Sequence, residues 1–214
     1  MPVRLLIIGA GGFARETLDV VEAIEARHPQ SFIVVGVVDD APSALAARLL
    51  GDRGTQVIGT VRDFQDGSLD EYFDQYVIAI GDPAARIRIA HGANARPSVA
   101  LVHPSASVGS LSVLGAGTVV CAGVTISTAV RIGTHGHVNP NATVGHDAHL
   151  ADFVSVNPAA VVSGAVHVAP GVLLGAGSVV LQGLVIGEGS VVGAAACVTR
   201  DVPEATVVKG VPAR

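Results

Sequence analysis

The chain has 214 residues, half of them hydrophobic but only 3% aromatic, with no Trp, 26 Gly and a formal charge of −5. That length holds one large domain or two small ones, and the acidic balance argues against a nucleic-acid partner, which would need a basic face. Cys121 and Cys197 lie far apart with no disulfide spacing, and the longest apolar runs fall short of a membrane span, so a cytoplasmic chain with no membrane segment is expected.

In chain order, residues 5–8 form a short apolar run, Leu-Leu-Ile-Ile, that predicts a buried strand. Gly9-Ala10-Gly11-Gly12-Phe13-Ala14 follows and opens a helical pattern over 14–27. Residues 32–38 predict a second strand ending in Asp39-Asp40, and 57–59 a short third. Residues 76–80 predict a fourth, ending in Gly81-Asp82-Pro83, with a helix over 84–90. Strand, glycine turn, helix, strand is a βαβ unit, so residues 1–98 are expected to form a small Rossmann-like α/β domain around a parallel sheet.

From Val102 to Val198 an aliphatic residue recurs at every sixth position, seventeen times without a slip. A period of six is neither helical nor that of an ordinary amphipathic strand. It belongs to a chain that turns a corner after each short strand, as in hexapeptide β-helices, and sets residues 99–214 as a second domain. The residue after each aliphatic is often Gly or Asn (Gly109, Gly115, Gly133, Asn139, Gly145), read as the positive-φ corner. Four positions on stands a small or β-branched residue such as Thr118, Ala142 or Ser178, fit for a crowded interior. First-strand positions such as Val113, Val119, Val161, Leu173 and Val185 are expected to face outward, giving flat apolar faces for identical copies in a threefold oligomer. The tail, 201–214, is expected to leave the repeat and cap it.

Two places carry chemistry. Val144-Gly145-His146-Asp147 puts a His–Asp pair at a corner. Imidazole is the side chain suited to accept a proton near neutrality, and an adjacent carboxylate favours the imidazolium; a solvated turn pair is the alternative. Gly9, Gly11 and Ala14, between strand and helix with Asp39 ending the next strand, fit a phosphate-binding loop. The module is half the length of a full dinucleotide fold, so a sugar nucleotide suits it better.

The chain resembles the nucleotide-sugar acetyltransferases of the hexapeptide superfamily, the sialic-acid O-acetyltransferase and bacillosamine N-acetyltransferase type. The resemblance rests on Ile8-Gly9-Ala10-Gly11-Gly12, Val38-Asp39-Asp40, Ala79-Ile80-Gly81-Asp82, Val102-His103-Pro104-Ser105-Ala106, Asn139, Val144-Gly145-His146-Asp147, Val198-Thr199-Arg200-Asp201-Val202-Pro203 and Gly210-Val211-Pro212-Ala213-Arg214. It implies a left-handed parallel β-helix, a homotrimer with active sites between subunits, and acetyl-CoA as co-substrate. It also implies direct transfer without an acyl-enzyme, with His146 as general base and Asp147 tuning it. Gly9, Gly11, Gly12, Phe13, Asp39, Asp40, Gly81, Asp82 and Asn139 would face the nucleotide sugar. His137, Ser155, Gly164, Ala176, Ala194, Lys209 and Arg214 would face acetyl-CoA, and Gly164 would offer its N–H to the oxyanion.

One position departs from the family pattern. A second histidine usually follows nine residues after the base, where this chain has Ser155. His137, eighteen residues earlier, is expected one coil away, about 4.8 Å by strand spacing. Either it substitutes for the missing ring, or the missing ring makes room for a different acyl group, or Ser155 binds water in the gap. Arg131, His149 and His167 form another eighteen-residue column, but the arginine opposes a cation there and no metal is expected. The sequence favours an acetyl-CoA-dependent N-acetyltransferase acting on a nucleotide-linked amino sugar. O-acetyl transfer to a sialic-acid-like sugar, or a scaffold without catalysis, stand as alternatives.

Overall fold

A computed structural model describes residues 1–214, which divide into two compact units, Met1–Leu101 and Val102–Arg214. In the first, β1 (Val3–Ile8), β2 (Phe32–Val38), β3 (Val57–Gly59) and β4 (Gln75–Ile78) form a parallel sheet in the order β3-β2-β1-β4. The connections are α1 (Gly12–Arg27), α2 (Ala44–Gly51) and α3 (Val61–Asp66), with α4 (Pro83–His91) after the last strand. Leu5, Ile7, Ala14, Leu18 and Val21 are buried along with Leu6, Ile8, Phe64, Ile78 and Ile89. A strand buried on both faces needs a continuous apolar run, which is why β1 reads Leu-Leu-Ile-Ile rather than alternating.

Helices α2 and α3 were not read from the sequence, being eight and six residues long, too short for a clear apolar period. Their caps carried the signal. Ser43 Oγ accepts the Ala46 N–H, and Thr60 and Asp63 exchange side-chain and backbone hydrogen bonds in a capping box.

The second unit is a parallel β-helix of two-residue strands, from Leu101–Val102 to Cys197–Val198, each ending on one of the seventeen aliphatics. They stack into sheets of seven, six and five strands. Each coil hydrogen-bonds to the next: Gly145 N–H donates to Val162 O at 2.7 Å and His149 N–H to Val166 O at 2.9 Å. Val144, Leu150, Val156, Val162 and Val168 line the interior at 2% exposure or less. Burying each such side chain contributes about 1.5–3 kcal/mol.

Three expectations are corrected. The positive-φ corner is not the residue after the aliphatic but the third after it, for example Leu111, Gly117, Ala129, Asn141, Asp147 and Phe153. Glycine directly after the aliphatic serves a different need: a Cβ on Gly145 would lie 2.6 Å from Gly164 N in the next coil. Val119 is not on an open face but 0% exposed, whereas Val113 and Val185 are exposed at 54% and 47%. The tail does not simply leave the repeat. Val207–Val208 adds a strand beside Val191–Val192, and Val202 bridges Ile186, each sixteen residues on instead of eighteen.

Candidate active site

At the carboxyl ends of the four-stranded sheet, the order β3-β2-β1-β4 reverses direction between β1 and β4, the place where open α/β sheets bind ligands. Gly9 follows β1 with φ +107°, and its missing Cβ leaves room for Ala79 O and Ile80. Gly11 is the N-cap of α1, with no side chain capping the helix and no acidic residue in its first turn. A Cβ at Gly11 would meet nothing within 4 Å, so the loop stays open on that side.

Arg15, one turn into the helix, reaches back and donates to Gly11 O at 3.2 Å. It places a cation beside the loop that the sequence reading missed, although its spacing of four from Gly11 was the available signal. Asp39 turns out to organise the loop. Its Oδ2 accepts the Ala10 N–H at 2.8 Å and its Oδ1 the Ala41 N–H at 2.9 Å, tying the turns after β1 and β2 together. Asp40 Oδ1 accepts the Val61 N–H at 2.9 Å.

After β4, Asp82 caps α4 by accepting the Ala84 N–H at 2.9 Å. Arg86, also unread from sequence, is completely buried and donates to Ile80 O at 2.9 Å and Gly81 O at 3.0 Å. Burial pushes its guanidinium down to about 10, with Asp82 opposing the shift. A buried cation gripping two successive carbonyls holds the Gly81 turn in one conformation. Asp39, Asp40, Val61, Ile80 and Ile89, with Arg88 at the rim, line a cavity of about 490 Å³, within the size of small-molecule sites.

In the β-helix, His146 and Asp147 stand exposed at the edge that follows the six-stranded sheet. His146 Nδ1 lies 2.7 Å from Asp147 Oδ2. Only a ring N–H can satisfy that contact with a carboxylate, so Nε2 keeps the free lone pair. The pairing depends on the fold locally: Asp147 has φ +60°, a conformation Asp tolerates better than most side chains. A Cβ on Gly164 would lie 2.6 Å from His146 Nε2, so the imidazole rests over a glycine one coil on. The Gly164 N–H donates to no group of the chain.

Several other sequence candidates sit elsewhere. His137 and Ser155 pair in register, as the eighteen-residue spacing demanded, but both are only 1% exposed. Asn139 is 7% exposed, and its amide donates to Val156 O and to Asn157 Oδ1 in the next coil. Ala176, Ala194 and Lys209 are exposed on the edge after the seven-stranded sheet, and Arg214 is exposed at the C-terminus. The edge after that sheet and the edge bearing His146 are different corners of the prism. His149 and His167 pair in register next to Arg131, with ring centroids 6.1 Å apart and ring planes tilted by 60°.

A parallel hexapeptide β-helix with a paired histidine at its corner, preceded by a glycine-loop α/β unit, defines a class of acyltransferases. The PglD N-terminal domain family matches residues 4–93. A GDP-perosamine N-acetyltransferase of Escherichia coli O157:H7 is 31% identical over 154 residues, which span 70% of this chain and 65% of that enzyme. Perosamine N-acetyltransferase from Caulobacter crescentus, solved as a histidine-to-asparagine mutant with CoA and GDP-perosamine, superposes with a TM-score of 0.85 at 31% identity. That match covers 99% of this chain and 95% of that one. The acetyltransferase domain of PglB from Neisseria gonorrhoeae FA1090, solved with acetyl coenzyme A, gives 0.86 at 28% identity over 100% and 99%. The chain belongs to the PglD-type nucleotide-sugar N-acetyltransferases, a branch of the hexapeptide-repeat acetyltransferases.

Proposed function

We propose that this chain moves the acetyl group of acetyl-CoA onto the amine of a nucleotide-linked amino sugar. The observation that carries the reading is the His146–Asp147 pair: a ring oriented by a carboxylate, with Nε2 free and a glycine beneath it. Nε2 takes a proton from the sugar amine as its nitrogen attacks the thioester carbonyl. Asp147 holds the resulting imidazolium, and the tetrahedral oxyanion accepts a hydrogen bond from the Gly164 N–H. Collapse breaks the carbon–sulfur bond, and the imidazolium proton goes to the departing thiolate, leaving amide and CoA. Cys121 is buried, and Cys197, in the strand Cys197–Val198, lies three coils beyond Thr143 along the six-stranded sheet, so neither stands at the His146 corner.

In the α/β unit the uncapped start of α1 and Arg15 receive the nucleotide's phosphates. In the β-helix the candidate acetyl-CoA residues Ala176, Ala194 and Lys209 lie on a different edge from His146. The reading therefore includes a homotrimer, in which the donor groups of one copy meet the base of its neighbour.

Thiol release from acetyl-CoA, measured across nucleotide-linked amino sugars with free sialic acid alongside, tests the reading. Release with an amino sugar, and none with His146→Ala, supports it. Release with sialic acid alone moves the activity to O-acetylation. Sedimentation showing a monomer at assay concentration would remove the intersubunit site.

A further inference from the structure

We propose that Arg96 is a positioning residue for acetyl transfer. It latches the segment by which the chain leaves the α/β unit onto α3, a wall of the cavity described above, so that a sugar held by that unit is presented to the base on a fixed path. This rests on the transfer reading above and adds a residue that acts through the backbone.

The chain leaves α4 by a strained turn. Asn94 and Ala95 follow one another at φ +49° and +60°. Asn adopts that conformation readily, whereas for Ala it is unfavourable, and such a turn persists only where its surroundings hold it. A strand-like segment comes next. Tyr76 N–H donates to Pro97 O at 3.1 Å, Val99 N–H donates to Tyr76 O at 3.2 Å, and Ser98 pairs with Tyr76 in parallel. Residues 97–99 thus extend the parallel sheet beyond β4. Two residues after Val99 the chain enters Leu101–Val102, the first strand of the seven-stranded sheet.

Arg96, between the turn and this segment, uses its whole guanidinium. Nε and Nη2 donate to the two oxygens of Asp70 at 2.6 and 3.1 Å, and Nη1 donates to Ala93 O at 2.9 Å. Its Cζ lies over the Phe64 ring, 5.3 Å from the centroid, and the side chain is only 12% exposed. A planar fork with a bidentate carboxylate and an aromatic face is a role lysine does not fill. Gly67, which ends α3 at φ +91°, leaves room for it: a Cβ there would lie 3.2 Å from Arg96 Nη2. Asn94 adds a longer tie, its amide donating to Gln65 O at 3.4 Å. Phe64 also packs on Phe73 and Tyr76, so what the latch secures is the exit segment rather than the core. The same short helix serves the cavity, which Val61 and Gln65 line, and Asp40 holds the Val61 N–H. One six-residue helix therefore joins the cavity wall to the route out of the unit.

The test uses the full chain as wild type, Arg96→Met, Arg96→Lys and Asp70→Asn. Thiol release from acetyl-CoA is measured with GDP-perosamine and with UDP- and dTDP-linked amino sugars as acceptors, and binding of the same sugars by isothermal titration. Arg96→Met keeps the aliphatic stem and loses every donor. Its kcat is expected to fall by about 10²-fold, as for reactants misplaced by about an ångström, with sugar affinity and KM for acetyl-CoA at wild-type values. Arg96→Lys and Asp70→Asn should fall between, and adding Asp70→Asn to Arg96→Met should cost nothing more, because both remove one contact. Hydrogen exchange at the Val99 amide should quicken in Arg96→Met while β1 and β2 stay protected. Wild-type kcat in Arg96→Met overturns the proposal. So does a loss of sugar affinity with kcat intact, which would make Arg96 a support of the cavity alone. If Arg96→Met does not fold, wild-type kcat in both Arg96→Lys and Asp70→Asn overturns it. A wild type that transfers to no amino sugar removes the transfer reading and this proposal with it, a result distinct from variants that match an active wild type.

Discussion

The two candidate sites are built in opposite ways. The cleft of the α/β unit is assembled from turns far apart in sequence, locked by polar side chains that serve the backbone: Asp39 joins the turns after β1 and β2, and Arg86 grips Ile80 and Gly81. The His146 corner is assembled by repetition. Its base, its carboxylate and the glycine beneath occupy fixed phases of a six-residue period, and the coil ladder sets their spacing. A loop-built cleft can change ligand by exchanging one or two side chains, such as Asp40 or Arg88. A repeat-built corner tolerates almost no change, because each position is stacked on the next coil.

Mutations should separate these two kinds of construction, and the largest effect belongs to the corner. His146→Ala is expected to lower kcat by about 10²–10⁴-fold while titration still shows nucleotide binding; loss of nucleotide binding would mean that the two sites are not independent. Gly164→Ala comes next. Its Cβ would press on the imidazole that rests there, and displacement of that order costs about 10²-fold in kcat. Unchanged kinetics, with the ring shown by crystallography to be unmoved, would refute the stacking argument.

The cleft should respond more gently and in a different constant. Asp39→Ala frees the Ala10 and Ala41 N–H groups and loosens the glycine loop. A rise of about tenfold in KM for the nucleotide sugar is expected, given the worth of hydrogen bonds to a charged acceptor, with KM for acetyl-CoA unchanged. A matching rise for both substrates would point to general unfolding. The smallest effect is on stability. Leu111 is 83% exposed with φ +63°, so Leu111→Gly is expected to raise stability by about 1 kcal/mol. Thermal melting would show this as a higher Tm, and a lower one would mean that Leu111 packs against something.

Most of the β-helix was legible because its code is local. Each aliphatic from Val102 to Val198 ends a strand, and His137 and Ser155 fall in register. The misplaced corner follows from adjacent coils being only one strand spacing apart. Gly145 is therefore needed for clearance rather than for positive φ, while left-handed backbone passes to Asp147. In the α/β unit, the glycine loop and the acidic pair after β2 were visible, but Arg15, Arg86 and Arg88 were not. Arg15 was marked only by its spacing of four from Gly11, and nothing in the pattern marked the reach of Arg86 to the Gly81 turn.

The sequence by itself determined the six-residue coil of the second unit, the βαβ outline of the first and the adjacency of His146 and Asp147, since periodicity and adjacent residues are properties of the chain, while the class of chemistry came from the family resemblance. Tertiary structure decided what each acid and glycine does. It showed that Asp39 holds a loop while Asp40 keeps a free oxygen, that Gly164 supports a ring, and that His137 and Ser155 are enclosed. Those roles depend on which backbone groups and coils come within hydrogen-bonding or van der Waals distance, and residues remote in sequence acquire that proximity only on folding.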